Sequence, residues 1–454
     1  MQLRDYQLKI KNFIINTPRC NIFVKCGMGK TFSTLAAINE LKIKDFSSFP
    51  ILIVAPKKVA ENEWEEQAKK AGLSNLTFSK ILGSPAQRIK ALNIDADIYI
   101  INYELLNWFH MQIQQSKIFK FNTIICDEST KIKNHRVSIL KNNKMRISGA
   151  VQAKSIVRYC RHVKRWINLS GTPISNSLED IWGQQFPIDG GKALGRTFTH
   201  FIEKYFNQII YNYNIIKNIP KKNSEKSIMF AIKNNTILIN STHKDPIIID
   251  IHISLDNDNK KEYKKLEKNK IIEINNSFIE DFAGMKERQY ASGTLLDRDG
   301  HRHLIHNKKL EALKVLVDNL KTNVIVSYYF KHDADIIMKS FPQAVRLDKG
   351  GVDAINGWNN NKISMLLIHP QSAGHGLNLQ YGGNIIIIYS ADWNSELYQQ
   401  IIERIGQARQ RAAGFNRDTY VYRLIIKDTI ESSITNRVDN KMVKSDSTES
   451  YLSI

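Results

Sequence analysis

Residues Gly27-Met28-Gly29-Lys30-Thr31 have the types and spacing of a loop that binds phosphate. They follow an apolar run, Asn21 to Val24, that predicts a buried strand, and they precede a stretch that predicts a helix over 31–41. Glycines between a strand and a helix let backbone N–H groups point at phosphate oxygens. We expect Lys30 to reach the terminal phosphates of a nucleotide and Thr31 to ligate magnesium.

An acidic pair, Asp127 and Glu128, ends another apolar run that begins at Thr123. In a nucleotide hydrolase Asp127 would join the metal shell and Glu128 would polarise the attacking water. The glycine loop departs from the full eight-residue pattern at its first position, where Val24 replaces glycine. The loop and the acidic pair together predict nucleotide hydrolysis.

The first part of the chain alternates short apolar strands with amphipathic stretches. The strands are continuously apolar rather than alternating, as expected for a parallel sheet that is covered on both faces. The clearest of them lie at 51–55, 97–101, 123–126 and 166–169. The pattern predicts an α/β domain over residues 1–205.

Two further regions follow this domain. A polar stretch rich in Asn, Lys and Ile, residues 206–300, predicts a connecting region with short strands and helices. A second α/β pattern occupies 301–436 and includes an amphipathic helix over 308–320. Residues 437–454 are predicted to form a C-terminal tail. Two similar halves joined by a polar connection predict a cleft that opens and closes.

The composition favours a polyanionic partner. The 454 residues carry a formal net charge of +21, from 65 Lys and Arg against 44 Asp and Glu. Nucleic acid is the first candidate, and the alternative is a set of solvated lysine-rich faces. The four cysteines have no C-x-x-C spacing, which favours a reducing compartment. No apolar stretch is long enough to span a membrane, and the chain opens without a signal peptide pattern, so we expect a cytoplasmic protein.

Short motifs recur in a fixed order along nearly the whole chain. The most specific extends the acidic pair, from Asp127 to the sequence Ile132-Lys133-Asn134. Others lie at 3–7, at 54–58 with Trp64, and at 101–104, 170–176, 369–380 and 393–404. Together they resemble the ordered motifs of superfamily-two helicases, and specifically of the Swi/Snf-type DNA translocases in their compact phage-encoded form. The Ile-Lys-Asn ending is characteristic of that family rather than of helicases at large.

The resemblance implies an α/β fold with two tandem RecA-like P-loop NTPase lobes, each a mostly parallel sheet flanked by helices. It also implies ATP and Mg²⁺ as ligands. Gln7 would bond the adenine base, beside the loop from Gly27 through Met28 and Gly29. Gly376, in the glycine-rich motif at 369–380, is assigned to the nucleotide site, together with Arg404 from the second lobe.

A group of polar residues follows the strand ends on the rim where this family tracks one strand of double-stranded DNA. Backbone phosphate contacts from such residues would give affinity without sequence preference. The alternative is an ordinary solvated rim. The group is Lys57, Lys58, Lys131, Lys133 and Asn134.

Position 407 departs from the family pattern. The spacing from Trp393 predicts arginines at 404 and 407, but residue 407 is Gln. Sliding the register by three would align Arg404 to Gln407 with the family's R-I-G-Q ending, and both registers keep Arg404. Arg409 and Arg411 are candidates to replace the missing arginine.

The favoured function is ATP-driven, DNA-stimulated translocation on double-stranded DNA, serving phage or bacterial replication, recombination or repair in the host cytoplasm. One alternative is a strand-separating helicase, although no separation pin or wedge domain is evident. The other is a DNA-binding scaffold with weakened ATPase, which Gln407 motivates and the intact Lys30, Asp127 and Glu128 oppose.

Overall fold

The protein is represented by a computed structural model that describes residues 3–25, 27–139, 145–174, 177–211, 214–239, 244–274, 277–281, 284–372 and 377–449. The chain divides into two compact units, residues 1–241 with 444–454, and residues 242–443. Each unit contains its own parallel sheet. Within the described ranges, no helix is both long and apolar enough to cross a membrane.

The first unit contains a sheet of seven strands and separate hairpins. Its strands are β1 (Arg19–Val24), β2 (Ile51–Ala55), β3 (Phe78–Lys80), β4 (Ile98–Asn102), β5 (Thr123–Asp127), β6 (His135–Ile139), β7 (Met145–Gly149), β8 (Arg165–Ser170), β9 (Phe206–Tyr211), β10 (Asn214–Pro220) and β11 (Thr236–Ile239). The sheet order is β11-β1-β8-β5-β2-β4-β3, with every pair parallel. Strands β6 and β7, and β9 and β10, form two antiparallel hairpins.

Helices cover both faces of this sheet. They are α1 (Asp5–Asn16), α2 (Lys30–Lys44), α3 (Trp64–Lys70), α4 (Pro85–Asn93), α5 (Leu106–Ser116), α6 (Val151–Val157), α7 (Asp180–Asp189), α8 (Phe198–Tyr205) and α9 (Ser224–Ile232). Successive residues of β2 enter two different cores: Leu52 and Val54 pack on one face, Ile51 and Ile53 on the other. Because both faces are buried, the strands are continuously apolar, as the sequence predicts.

The second unit repeats this plan and contains a six-stranded sheet and separate hairpins. Its strands are β12 (Ile247–Ile253), β13 (Ile271–Ile274), β14 (Ser277–Glu280), β15 (Thr294–Leu296), β16 (Arg302–Leu304), β17 (Val324–Ser327), β18 (Val345–Arg346), β19 (Met365–Ile368), β20 (Ile385–Ile388) and β21 (Tyr420–Ile426). The sheet order is β12-β21-β20-β17-β19-β18, again all parallel. The remaining strands form the hairpins β13–β14 and β15–β16.

The helices of the second unit surround that sheet. They are α10 (Asn257–Asn269), α11 (Met285–Ser292), α12 (Lys308–Leu320), α13 (Lys331–Ser340), α14 (Leu347–Asn359), α15 (Ser395–Glu403) and α16 (Gln407–Ala412), and α17 (Ile430–Glu449) begins here. Val324 and Val326 of β17 pack into one core and Ile325 into the other. The two parallel sheets confirm the predicted α/β class.

The domain boundaries differ from those that the sequence suggests. The predicted connecting region, 206–300, is divided between the two units at residue 241. Strand β11 completes one edge of the first sheet and β12 completes one edge of the second. The boundary predicted at residue 436 falls inside α17. The first difference arises because β11 and β12 pair with strands that are far away in the sequence, and the second because the helix that begins at Ile430 continues beyond residue 436.

Candidate active site

The phosphate loop lies at the carboxyl end of β1 and leads into α2. Gly27 and Gly29 have left-handed backbone conformations, with φ of 79° and 78°, which glycine adopts without a steric penalty. Lys30 is the first residue of α2 and is buried, and its ammonium donates to the Val24 carbonyl at 2.8 Å. Thr31 is half-buried in the first turn of the helix. The loop therefore has the strand–glycine–helix geometry that phosphate binding requires.

Gln7 lies directly against this loop. Its side-chain amide donates to the Met28 carbonyl at 3.3 Å, and its Oε1 accepts from the Arg4 N–H at 3.1 Å. A Cβ atom added to Gly29 would lie 2.4 Å from Gln7 Nε2, so a larger residue there would displace the Gln7 amide in addition to straining the left-handed backbone. The structure thus places Gln7 beside the phosphate loop, while its bond to adenine stays a prediction.

Asp127 and Glu128 lie at the carboxyl end of β5, in the same sheet as the loop. Both carboxylates are buried. The Trp64 indole N–H donates to Asp127 Oδ2 at 3.0 Å, and the Tyr103 hydroxyl donates to the Asp127 carbonyl at 2.7 Å. Glu128 has a left-handed backbone, with φ of 58°, where the chain turns sharply out of the strand. The Trp64 contact orients the Asp127 carboxylate, and the Tyr103 contact holds the backbone at the turn.

The acidic pair belongs to a cluster of negative charge. Burial raises the pKa of Asp127 to about 7, and the neighbouring carboxylates of Glu128 and Glu63 act in the same direction. Lys30 and the Trp64 N–H oppose that shift without cancelling it. Buried carboxylates that repel one another favour a bound cation. The donor set therefore fits Mg²⁺, for which Asp127 and Thr31 would supply oxygen ligands.

A buried glutamine links the acidic motif to the neighbouring strand end. Ser129 donates to Gln184 Oε1 at 2.8 Å, and Gln184 Nε2 donates to the Pro173 carbonyl at 2.7 Å. Asn168, on β8, donates to the Gln184 carbonyl at 2.7 Å. Gln184 thereby connects the segment after β5 with the 170–176 motif after β8. Ser175 and Asn176 of that motif lie outside the described residues.

The predicted DNA-contact residues divide into two groups. Lys57 and Lys58 follow β2, and Lys131 follows β5; all three are exposed. Because β2 and β5 are neighbouring parallel strands, these lysines follow adjacent strand ends. Asn134 is also exposed, and its carbonyl accepts from the Ala150 N–H at 2.8 Å.

Lys133 differs from the other lysines of this group. Its ammonium pairs with Asp180 of α7 at 2.8 Å, and both side chains are only 10% exposed. The backbone is equally close, since a Cβ atom on Gly183 would lie 2.2 Å from the Lys133 carbonyl oxygen. Lys133 thus holds the acidic motif against α7, and a contact with DNA stays a prediction.

In the second unit, Arg404 and Gln407 have distinct environments. Arg404 follows α15, is buried, and its Nε has no hydrogen-bond partner among the described residues. Gln407 begins α16, where its Oε1 accepts from the Lys244 N–H at 2.6 Å and its Nε2 donates to Asp418 at 3.1 Å. Gln407 is therefore a bonded part of the fold, and Arg404 has a donor left to use.

Arg409 and Arg411, which follow in the same segment, also differ in their environments. Arg409 donates to the Leu377 carbonyl at 3.0 Å and to Asn378 Oδ1 at 2.6 Å, both in the 369–380 motif. Arg411 is exposed. Gly376, the predicted nucleotide contact from this motif, lies outside the described residues.

The fold and the site define a class of protein. A phosphate loop and a buried acidic pair end two parallel strands of one sheet, and a second parallel-sheet unit follows in the same chain. This arrangement is that of a helicase-type ATP hydrolase. Comparison with known families is specific: residues 20–289 match the SNF2-related domain, and residues 308–409 match the helicase conserved C-terminal domain. The chain belongs to the SNF2-related family.

The relatives found by sequence agree with this assignment. Protein p41 of Acyrthosiphon pisum secondary endosymbiont phage 1 is 35% identical over 452 residues, covering 96% of each chain. The ISWI chromatin-remodeling complex ATPase ISW1 of Saccharomyces cerevisiae is 22% identical over 97% of this chain and 40% of its own length. The chain thus spans about two-fifths of the remodelling ATPase and nearly all of the phage protein. A Sulfolobus solfataricus SWI2/SNF2 ATPase core in complex with dsDNA is 20% identical, with 99% and 94% coverage and a TM-score of 0.44.

Sequence reasoning misses several residues that build the site. Trp64 is predicted only as a companion of the 54–58 motif, although its indole holds Asp127. Neither Glu63 nor Gln184 stands out in the sequence, because an acidic or amide residue in a helix usually faces solvent. The sequence of α7 mixes apolar residues with Asp, Gln and Gly, so it gives no signal that nearly the whole helix is buried and that Gln184 must find buried partners.

The raised pKa of Asp127 predicts that the metal-free protein loses stability as pH rises. The carboxyl has a folded-state pKa of about 7, whereas an unfolded aspartate titrates near about 3.9. Between these values the folded state holds a proton that the unfolded state has lost, so the free energy of unfolding falls with pH. From about pH 5 to pH 7 the loss amounts to about 2–3 kcal/mol.

Asp127→Asn should therefore raise the unfolding temperature in EDTA at about pH 8, and the gain should shrink towards about pH 5. Thermal denaturation of both proteins across this range measures the effect. Asp45→Asn is the control of opposite sign, because a hydrogen bond from Lys164 holds the pKa of Asp45 below its ordinary value. A lower unfolding temperature for Asp127→Asn at about pH 8 would contradict the raised pKa.

The Lys133–Asp180 pair predicts a strong and partner-dependent loss of stability. Lys133→Met or Asp180→Asn leaves a buried charge without its partner, which costs about 3–5 kcal/mol. The double variant should recover part of that loss, since neither charge is then stranded. Lys131→Met, at an exposed neighbouring position, should change stability by less than about 0.5 kcal/mol. Urea denaturation of the four variants measures their free energies of unfolding. Additive losses in the double variant would show that the pair is not coupled.

Proposed function

We propose that the chain is an ATP-driven translocase on double-stranded DNA. The observation that carries this proposal is the position of Lys57, Lys58 and Lys131 in the sheet that bears the nucleotide site. They are exposed at adjacent strand ends, and Lys131 comes three residues after Glu128. A change at the phosphate site therefore has a short covalent route to groups that would hold a DNA backbone.

The nucleotide chemistry is assigned to residues of the first unit. Backbone N–H groups from Gly27 to Thr31 would bind the phosphates, and Lys30 would neutralise the terminal ones. Mg²⁺, held by Thr31 and Asp127, supplies charge stabilisation to the phosphates when bound. Glu128 would accept a hydrogen bond from the attacking water and orient it. Burial of both carboxylates keeps these interactions strong.

Arg404 is assigned the charge-stabilising role on the leaving phosphate. Its assignment comes from the family resemblance, and its buried Nε without a described partner is consistent with a donor reserved for a ligand. Arg409 is a poorer candidate because it already bonds Leu377 and Asn378. Arg411 is exposed, with no described contact that would orient it.

The DNA contact is inferred to be independent of base sequence. Lysine ammonium groups are point charges that suit phosphates and carry no base-reading geometry. The formal net charge of +21 supports a polyanionic partner. The 35% identity to a phage protein supports action in an infected bacterial cytoplasm, during replication, recombination or repair.

The proposal predicts ATP turnover that duplex DNA stimulates. Lys30→Ala should lose that turnover, because the terminal phosphates lose their buried cation. Arg404→Ala should reduce the rate by about 10³-fold or more while nucleotide binding is retained. Arg411→Ala is the matched control and should leave the rate within a few-fold of the parent.

Steady-state phosphate release with and without duplex DNA measures these rates, and triplex displacement reports translocation. Absence of DNA-stimulated turnover, with no further loss in Lys30→Ala, would favour a scaffold instead. Robust unwinding of a plain forked duplex would favour a strand-separating helicase.

The rim lysines predict a salt-dependent change in DNA affinity. Lys57→Ala and Lys131→Ala should each weaken duplex binding equally across unrelated sequences, and each should reduce the salt slope by about one. Lys133→Ala should reduce the salt slope by less than either of these changes, because its ammonium is already paired with Asp180. Titrations of labelled duplexes at several salt concentrations provide the test. Loss of affinity for one sequence alone would show base readout and contradict the proposal.

A further inference from the structure

A basic groove lies in the first unit, away from the nucleotide site. Its volume is about 1010 Å³, at the upper end of the about 300–1,000 Å³ usual for ligand sites. Helices α8 and α9 and the start of β11 contribute its walls. The lining includes Lys204, Lys221, Lys222, Lys226, Lys233 and Phe230.

The groove is at the opposite end of the sheet from the rim lysines. Its strand contact is Thr236, the first residue of β11, which pairs with Asn21 within the parallel strand β1. The phosphate loop follows the other end of β1, after Val24. Strand direction therefore separates the groove from the loop, from Asp127 and from the lysines that follow β2 and β5.

The lining carries a single sign of charge. Five lysines contribute to it, and none of the residues that form its walls is an aspartate or glutamate. Lys204, Lys222 and Lys233 are exposed. A concave surface with several ammonium groups and no acidic side chain attracts polyanions and concentrates them locally.

An aromatic ring stands among these lysines. Phe230 is 69% exposed although it belongs to the well-packed helix α9, whose neighbours Ile228 and Met229 are buried. The Lys233 ammonium lies over the ring, 4.0 Å from its centroid, and both residues line the groove. An exposed ring with a cation over one face and further ammonium groups around it combines a surface for base stacking with groups that bind phosphate.

We propose that this groove binds single-stranded nucleic acid, with an unpaired base stacked on Phe230 and its phosphates held by the lysines. A duplex would use the lysines alone, because its bases are already stacked and paired. The ring is therefore the feature that favours a single strand. Binding here requires no ATP, so the inference stands or fails separately from the proposed motor.

The test is the affinity of the full chain for a labelled oligothymidine, measured by fluorescence anisotropy without nucleotide. A length of about 20 nucleotides exceeds the ~4–16 that one single-strand-binding fold covers. Phe230→Ala should weaken binding by about 5- to 150-fold, the range measured for one stacked base. Phe46→Ala is the matched control, because Phe46 is 66% exposed in the same unit but lies outside the groove.

Charge reversal tests the phosphate contacts separately. Lys222→Glu combined with Lys233→Glu should weaken oligothymidine binding and reduce its salt slope. Lys9→Glu combined with Lys90→Glu makes the same change of charge at exposed sites of the first unit outside the groove. That control should retain the affinity and the slope to within a few-fold. Equal losses in both double variants would show that only net charge matters and would overturn the proposal.

Two further measurements isolate the contribution of the ring. Phe230→Ala should leave the affinity for a duplex of the same length unchanged, and should leave the unfolding temperature unchanged. Equal weakening of single strand and duplex, or no weakening of either, would overturn the proposal. If Phe230→Ala weakens binding of an oligoglutamate peptide but not of oligothymidine, the groove is a peptide site and the proposal fails. Duplex-stimulated ATP turnover in Phe230→Ala reports independently on the motor.

Discussion

The first unit depends on a buried set of hydrogen bonds around Gln184. Its amide joins Ser129, just after β5, to Pro173, just after β8, and its backbone carbonyl accepts from Asn168. Each of these polar groups lacks access to water, so loss of one bond would leave a donor or acceptor unpaired at a cost of about 1–3 kcal/mol. The two strand-end motifs are consequently held as one unit. A shift of the segment that follows Glu128 must move the 170–176 motif with it, or break that set.

The same edge of the sheet carries a charge arrangement that works against stability. The carboxylates of Glu128 and Glu63 repel that of Asp127 and raise its pKa. Lys30 is the positive charge that opposes this shift. The apolar sheet beneath, with both faces buried, supplies the stability that allows this. Desolvated charge is also what makes a site respond strongly to phosphate and metal. The residues proposed for catalysis are therefore also the ones whose charges oppose stability, and Trp64 and Tyr103 support them by hydrogen bonds.

Local pattern predicts the central elements well and the edges poorly. The amphipathic spacing over 308–320 matches α12, and the apolar run at 51–55 matches β2. By contrast, β11 and β12 lie in a stretch that reads as a polar connection. Each is an edge strand with one partner. Although its own residues are mostly isoleucine and leucine, its pairing with β1 or β21 depends on distant residues. The Lys133–Asp180 pair could not be predicted for the same reason. Nothing near Lys133 in the sequence indicates that α7 carries its partner.

Gln407 illustrates how a departure from a family pattern can have a structural cause. Its Oε1 accepts from the Lys244 N–H while its Nε2 donates to Asp418. An arginine has donors only, so it could satisfy Asp418 but would leave the Lys244 N–H without its acceptor. The glutamine is therefore suited to joining the start of the second unit to its own α16, rather than a decayed arginine. This weakens the argument that the ATPase has degenerated, because the glutamine at position 407 has a structural role in the fold.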